Sequence, residues 1–418
     1  MTVPAPDAAQ TLCTLLDMVR TGTAVTRPAL IARSGLGRKL VTQRVADLLE
    51  RGLLEEEGLT PSTGGRAARR LRFRHDAGCL LVAELGGTGL SVGLADLGGE
   101  LLAHQEVPCR ILDGPESVLA RVEELFDGLL ANRPSHAPEL WGVGIGVLGP
   151  VDARTGSPIL MSSMKSWGGY PVRDRLAARF RVPALVDNEV NLMALGEYRG
   201  GLGRGVDDLA YVKLGSGIGA GLISGGRLTH GARGSAGEIG HISVAPGADA
   251  GCWCGGNGCL VRFAGGDALA ATAEHGATTG ESPALADRLA AHGSLDARDL
   301  AEAAREGDPF SVEQLTRVGN LVGRALASLI NITNPSLVLI GGGVANSGDL
   351  LLAAIRKEVY RLTYSTAADN LRIALSPLSD LAGLVGAAFM VVDELLSAER
   401  LPHWIDAGSP AGLMDIVN

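Results

Sequence analysis

The chain has 418 residues, 46% of them hydrophobic and 4% aromatic. A single core stops growing below this length, so two or three domains are expected. No stretch has the roughly 18 apolar residues a bilayer span needs, and Met1 to Gln10 lacks a basic segment followed by an apolar one. No membrane partner and no secretory signal are therefore expected, and a cytoplasmic location is. The net charge of −9 conceals a division: residues 1–75 hold twelve Lys and Arg against seven Asp and Glu, leaving 25 against 39 for the remainder. A basic module joined to an acidic body points to a polyanionic partner for the first part alone.

Residues 8–20 place Leu12, Leu15, Leu16 and Val19 at helical spacing, which predicts a first helix with one buried stripe. Thr26 caps a second segment, with Pro28 in its first turn and Ser34-Gly35 at its end. A third helix is expected from Arg38 to Arg51, with Val41, Val45, Leu48 and Leu49 on one face and Arg38, Lys39, Thr42, Gln43 and Arg44 at or near its start. The second helix of such a pair enters the major groove of DNA with its N-terminal polar side chains toward base edges. Leu53 and Leu54 then open a strand. After Glu55 to Glu57 the chain turns through Ser62-Thr63-Gly64-Gly65 and returns with Arg66, Arg69, Arg70 and Arg72. A hairpin wing of this kind can contact phosphates or the minor groove. The order predicts a winged helix-turn-helix over 1–75 that binds a double-stranded DNA operator.

Beyond Cys79 the pattern becomes strands separated by glycine turns. Leu80 to Ala83 lead into Glu84-Leu85-Gly86-Gly87-Thr88, and Leu90 to Ala95 resume. A second turn, Gly215-Ser216-Gly217 to Gly221, follows the strand Leu209 to Leu214. A third, Gly341-Gly342-Gly343, follows Leu337 to Ile340. Backbone N–H groups at such turns can hold a phosphate, and strand ends in α/β sheets are where ligands bind.

Between the second and third turns, Cys252, Cys254 and Cys259 fall within eight residues and His241 lies eleven positions before the first of them. Three thiolates and an imidazole complete a closed tetrahedral site of the structural zinc type. A disulfide is the alternative, and disulfides are rare in a reducing cytosol. The same loop carries Glu238, an acid that a structural zinc does not need. Cys13, Cys79 and Cys109 stand in apolar stretches and read as small buried hydrophobes.

These pieces together resemble the family of repressors, open reading frames and sugar kinases called ROK. The resemblance runs from the winged helix through Glu84 to Thr88, Gly144 to Asp152, Asp187 to Glu197, Gly215 to Gly221, Glu238 to His241 and the cysteine loop, to Asn334-Pro335 and Gly341 to Gly343. It implies an α/β architecture: the winged helix-turn-helix, then two lobes of the actin-like ATPase (ribonuclease H-like) fold over 76–400, with a zinc loop at 238–261. The tail 401–418 carries no motif, and Gly408 to Gly412 suggest a flexible end. The resemblance also implies a sugar in the cleft, held by Asn188, Glu238 and His241, with Glu189 beside them, and assembly as a homodimer or homotetramer. His241 would place one ring nitrogen on zinc and turn the other toward the ligand.

Three departures bear on catalysis. Family kinases carry Asp where Glu189 stands, as base for the attacking hydroxyl, Asp where Glu84 stands, and Glu where Val261 stands. A longer acid at a positioned base costs on the order of a hundredfold. The sequence therefore predicts a sugar-responsive DNA-binding regulator of the repressor type, with no catalytic residues and with ATP and Mg²⁺ not expected. The alternatives are an ATP-dependent sugar kinase that retains its helix-turn-helix, and a DNA-binding protein that senses no ligand.

Overall fold

The computed structural model describes residues 8–59, 68–133, 138–160 and 164–417. Three helices open the chain: α1 (Ala8–Arg20), α2 (Arg27–Ser34) and α3 (Arg38–Glu50). The Thr26 hydroxyl accepts from the Ala29 N–H and caps α2, which Gly35 ends in the left-handed conformation. Strands β1 (Leu54–Leu59) and β2 (Arg69–Phe73) pair antiparallel, and Thr26 bridges to Arg70 as a short third strand. The expected wing tip, Ser62 to Gly65 with Arg66, lies outside the described residues. Leu15, Leu16, Leu30, Val41, Val45, Leu48, Leu71 and Phe73 fill the core of this module.

Two five-stranded sheets of one topology follow. The first contains β3 (Cys79–Leu85), β4 (Gly89–Asp96), β5 (Leu101–Pro108), β6 (Leu140–Val147) and β9 (Ala184–Asn188), in the order β5-β4-β3-β6-β9. Its helices are α4 (Pro115–Ala131), between β5 and β6, and α5 (Val172–Phe180), before β9; a small hairpin of β7 (Val151–Asp152) and β8 (Ser157–Pro158) lies between β6 and α5. Helix α6 (Glu189–Gly200) leaves β9 and leads to the second sheet: β10 (Leu209–Leu214), β11 (Ile218–Ser224), β12 (Arg227–Leu228), β13 (Leu337–Gly341) and β14 (Arg372–Leu375), in the order β12-β11-β10-β13-β14. In each sheet three antiparallel strands are followed by two parallel ones. Helices α7 (Val261–Ala264), α8 (Gly266–Thr279), α9 (Pro283–His292), α10 (Ala297–Arg305) and α11 (Pro309–Thr333) come between β12 and β13. Helices α12 (Asp349–Leu362) and α13 (Ser365–Ala368) precede β14, and α14 (Ala382–Leu395) and α15 (Leu401–Trp404) close the chain.

The strand period of two decides what each sheet face meets. On β3, Cys79, Leu81, Ala83 and Leu85 belong to the outer core with α4 and α5, whereas Leu80 and Val82 belong to the core that contains α14. On β10, Ala210, Val212 and Leu214 face the large helical layer, and Leu209 and Tyr211 face α6. Glu84 and Lys213 therefore continue the two inner faces, toward the seam between the lobes.

Helices α6 and α14 fill that seam with their backbones in contact. A Cβ on Gly386 would stand 1.7 Å from the Leu192 carbonyl oxygen, and one on Gly196 would stand 2.1 Å from that of Ala382. Gly386→Ala is accordingly expected to destabilise the protein by about 3 kcal/mol, the upper range for an overpacked site, read as a lowered urea midpoint with an unchanged slope.

The end of the chain differs from the flexible tail expected of it. Trp404 is buried, packs edge-on to Trp141 at 5.0 Å between ring centroids, and donates to the Leu395 carbonyl. Ile405 and Val417 join the same core, which runs without a break into the winged helix. Glycines at 408 and 412 take positive φ in turns that let this segment wrap back, so they shape a packed end. Ion pairs link module and body, among them Arg20 to Asp393 at 2.6 Å and Arg51 to Asp406 at 2.6 Å.

Candidate functional site

His241, Cys252, Cys254 and Cys259 converge, with one ligand atom of each within 4.8 Å of all the others. The Cys254 and Cys259 sulfurs are 3.6 Å apart, and the Cys252 sulfur is 3.6 Å from Nδ1 of His241. A disulfide needs about 2.05 Å. A tetrahedral ion with bonds of about 2.3 Å sets its ligands roughly 3.7 Å apart. The donor set thus fits a metal and excludes a bridge. Gly258 has φ +71°, and a Cβ there would meet the Ala245 carbonyl at 2.3 Å, so the loop closes only with glycine at that point. Burial lowers the His241 pKa, which favours the neutral imidazole a ligand requires.

The loop forms one wall of a cavity of about 420 Å³ between the lobes. Gly87, Thr88, Asn188, Glu189, Ser216, Gly217, Glu238 and His241, all singled out from sequence, line it. Gly86, Gly215, Gly342 and Gly343 are not among its lining residues. Gly86 closes the β3–β4 hairpin through its N–H to the Gly89 carbonyl, Gly215 bonds to Gly217 within its own turn, and Gly342 packs against the end of β10. Gly86, Gly215 and Gly342 thus serve the turns themselves.

Two of the expected sugar contacts, Asn188 and Glu189, line the cavity and are also held by protein neighbours. Asn188 caps α6: its Oδ1 accepts from the N–H groups of Val190 and Asn191, and its Nδ2 donates to the Gly149 carbonyl. Glu189 sits in the first turn of α6 and takes an ion pair from Lys213 at 2.7 Å, with Glu84 on the other side of the same ammonium at 3.7 Å. Both carboxyl groups are buried and Lys213 is nearly so. Burial pushes Glu84 up to about 8, against the pull of Lys213 and with the push of Glu189. Glu84 is therefore protonated at neutral pH, and Lys213 and Glu189 form the charged pair. Opposite charges more than offset the burial of Lys213, whose pKa is raised.

Glu238 and His241 are placed differently. Glu238 Oε2 lies 4.0 Å from Nε2 of His241, the ring nitrogen turned away from Cys252, so carboxylate and imidazole stand side by side at the wall. Across the lobes, Asp187 accepts from the His230 ring at 2.7 Å, which raises the His230 pKa; Asp187 also bonds the Asn191 amide. Glu197, within a stretch that carries the resemblance, is fully buried and accepts from Ser376 and from the Leu202 and Leu378 N–H groups. It has a structural role at the seam.

At the other end of the molecule, Arg38, Lys39, Thr42 and Gln43 are exposed on α3, opposite the buried Val41, Val45 and Leu48. Arg44 departs from this group. About 100° per residue brings it back toward the buried face, where it is half-buried and paired with Asp47 at 3.1 Å. The wing departs too: Arg69 pairs with Glu56 at 2.8 Å, Glu56 takes Arg27 as well, and Arg72 donates to Glu55 at 2.6 Å. The acids of β1, given no partner in the sequence reading, thus neutralise two of the wing arginines. Arg70 is exposed and makes no ion pair among the described residues.

Lys213, His230 and Trp253, the last lining the cavity from the cysteine loop, were not singled out as contacts. Lys213 had one sequence signal: it is the sole charge in an otherwise apolar strand, on the same face as Leu209 and Tyr211.

The ROK family model matches residues 81–394. A glucokinase of Halalkalibacterium halodurans is 32% identical over 317 residues, covering 76% of this chain and 96% of its own length. A xylose repressor of Caldicellulosiruptor bescii is 30% identical over 365 residues, covering 87% of this chain and 90% of its own. The solved structure of a ROK family transcriptional regulator, a homolog of the Escherichia coli MLC protein, superposes with a TM-score of 0.82 over 96% of this chain and 100% of that one, at 24% identity. That likeness carries the fold: a winged helix followed by two actin-like lobes.

Proposed function

This chain belongs to the ROK family, and on that premise we propose that it is a DNA-binding transcriptional regulator whose operator affinity is set by a sugar-like effector in the interlobe cavity. The observation that carries the reading is the exposed α3 face of Arg38, Lys39, Thr42 and Gln43, on a winged helix whose core is continuous with the body. The match to the xylose repressor supports it. Its 365 residues exceed the 338 that lie from residue 81 to the end, so it extends into the winged helix. Zinc on His241, Cys252, Cys254 and Cys259 would fix the loop that carries Glu238; its contribution is rigidity, not chemistry on the ligand.

Effector and DNA are linked through α6. Its first residue, Glu189, lines the cavity, and near its last turn Arg199 pairs with Asp393 at 2.8 Å. The same carboxylate oxygen holds Arg20 of α1. A ligand that moves α6 against α14 therefore acts on the seat of the winged helix, and only unequal affinity for the two arrangements shifts the equilibrium. Two-fold assembly would match a palindromic site.

A mobility shift on DNA from upstream of the protein's own gene tests the reading. Arg38→Ala should weaken operator binding by about 1–3 kcal/mol if the guanidinium reads a base. Arg70→Ala should weaken all sequences alike and lower the salt slope by about one. Binding that neither substitution alters would place the DNA elsewhere.

A sugar kinase is the second reading, favoured by the glucokinase match and by Thr88, Ser216 and Gly217 at the cavity. Against it, the carboxylate at the base position is a glutamate that shares one oxygen with Lys213, which lowers its basicity toward a hydroxyl. Sugar-dependent ADP release that Glu189→Gln abolishes would favour the kinase.

A further inference from the structure

The cavity lining combines polar groups with apolar ones, and the two meet where the Trp253 indole packs edge-on to His241 at 4.5 Å. Among the polar lining, the Asn188 amide is engaged by the backbone and one Glu189 oxygen by Lys213, whereas Glu238 and Nε2 of His241, 4.0 Å apart, face the cavity side by side, with Thr88, Arg110, Ser216 and Asp267 also on its walls. A carboxylate and a ring nitrogen side by side can hold two adjacent hydroxyls, one edge of a sugar ring. Much of the remaining lining is apolar: Met164 from the first lobe, Val190 from α6, Ile218 and Val261 from the second. Two large apolar side chains that line the same cavity are exposed to solvent, Leu112 from the first lobe at 64% and Trp253 from the cysteine loop of the second at 47%. Single exposed hydrophobics are ordinary. A pair contributed by both lobes to one cavity of about 420 Å³ is a surface for an apolar ligand group to cover.

Resting on the regulator reading above, we infer that the effector is a glycoside: a sugar whose edge sits on Glu238 and His241 and whose apolar, preferably aromatic, aglycone lies between Leu112 and Trp253. An unsubstituted monosaccharide satisfies the two polar groups and leaves the apolar lining wet. An aryl group covers that lining, and its ring can pack on the indole in the offset or edge-on manner aromatic pairs prefer. Covering it would also draw the two lobes together, because the two side chains belong to different lobes.

The test uses the zinc-loaded full-length protein and titration calorimetry with glucose, xylose and N-acetylglucosamine, each as free sugar, methyl glycoside and phenyl glycoside in both anomers. Burying one ring predicts that at least one phenyl glycoside binds about ten- to a hundredfold tighter than its methyl counterpart. Leu112→Ala and Trp253→Ala should each bring that ratio toward one. Leu112 lies outside the metal loop, so it keeps the test valid if Trp253→Ala disturbs zinc, which metal analysis would reveal. Methyl glycosides that bind as well as phenyl ones, no saturable binding by any phenyl glycoside, or a phenyl preference that survives both substitutions would each overturn the inference. Operator binding of the same preparation is read separately: its absence would sink the regulator reading, while its presence beside a negative ligand result would sink the glycoside alone.

Discussion

Lys213→Met is expected to cost about 3–5 kcal/mol at pH 7, the range for removing one partner from a buried ion pair. The substitution keeps the aliphatic volume and removes the only cation between two buried carboxyl groups, Glu84 and Glu189. Glu84 already holds a proton, so Glu189 must then take one as well or stay charged without a partner. Because a proton is easier to acquire in acid, the loss should shrink toward pH 5, and Glu189→Gln in the Lys213→Met background should recover most of it. Urea unfolding across pH 5–8 reads both effects; a Lys213→Met protein as stable as the parent at pH 8 would contradict the buried triad.

The wild-type protein should show a related slope. Glu84 has a folded pKa of about 8 against an unfolded value near 4.5, so the folded state holds a proton that the unfolded state releases. Stability from this group is therefore greatest in acid and falls as pH rises from about 4.5 to about 8. His230 acts in the same direction, since its raised pKa adds stability below about 6.5 that is lost as pH rises through the folded value. Glu84→Gln should flatten the Glu84 part of the slope.

Cys254→Ser carries the second large effect. Changes to groups that merely support metal ligands cost 10–100-fold in affinity, and a lost thiolate should cost more than about a hundredfold. Zinc content should drop from one per chain toward zero. His241 and Glu238 then lose their fixed position, so stabilisation by any cavity ligand should vanish with the metal. Operator binding should persist but stop responding, because the winged helix packs through a core it shares with α14 and α15, away from the loop. A protein that loses zinc and still responds to a ligand would separate the metal from sensing.

How much of this was legible in the sequence follows from the range of the forces involved. The three helices, the cap at Thr26 and the strands at Leu209 to Leu214 and from Leu337 could be read because capping and periodicity are local. The cysteine cluster could be read because metal geometry constrains spacing within one loop. Lys213 escaped attention because a lysine near the end of a strand ordinarily faces water, and only the packing of two sheets about α6 and α14 turns it toward Glu84 and Glu189. Asn188 was expected to meet a sugar, yet it begins a helix, and cap chemistry took its amide first. Arg69 and Arg72 read as wing cations because the strand register that sets Glu55 and Glu56 beside them is not written in either segment alone. The packed tail was missed because its glycines mark turns whose destination, the Trp141 pocket, lies over 260 residues away in the chain.

The central claim, that one chain couples a cavity ligand to DNA, comes down to one measurement: fluorescence anisotropy of the protein's own upstream DNA, titrated with zinc-loaded protein at fixed salt, with and without a saturating cavity ligand. A coupling of 1–3 kcal/mol, about 5- to 150-fold in operator Kd, is expected, with the reciprocal change in ligand affinity when DNA is bound. An operator Kd that stays the same with a ligand proven by calorimetry to occupy the cavity would contradict the account.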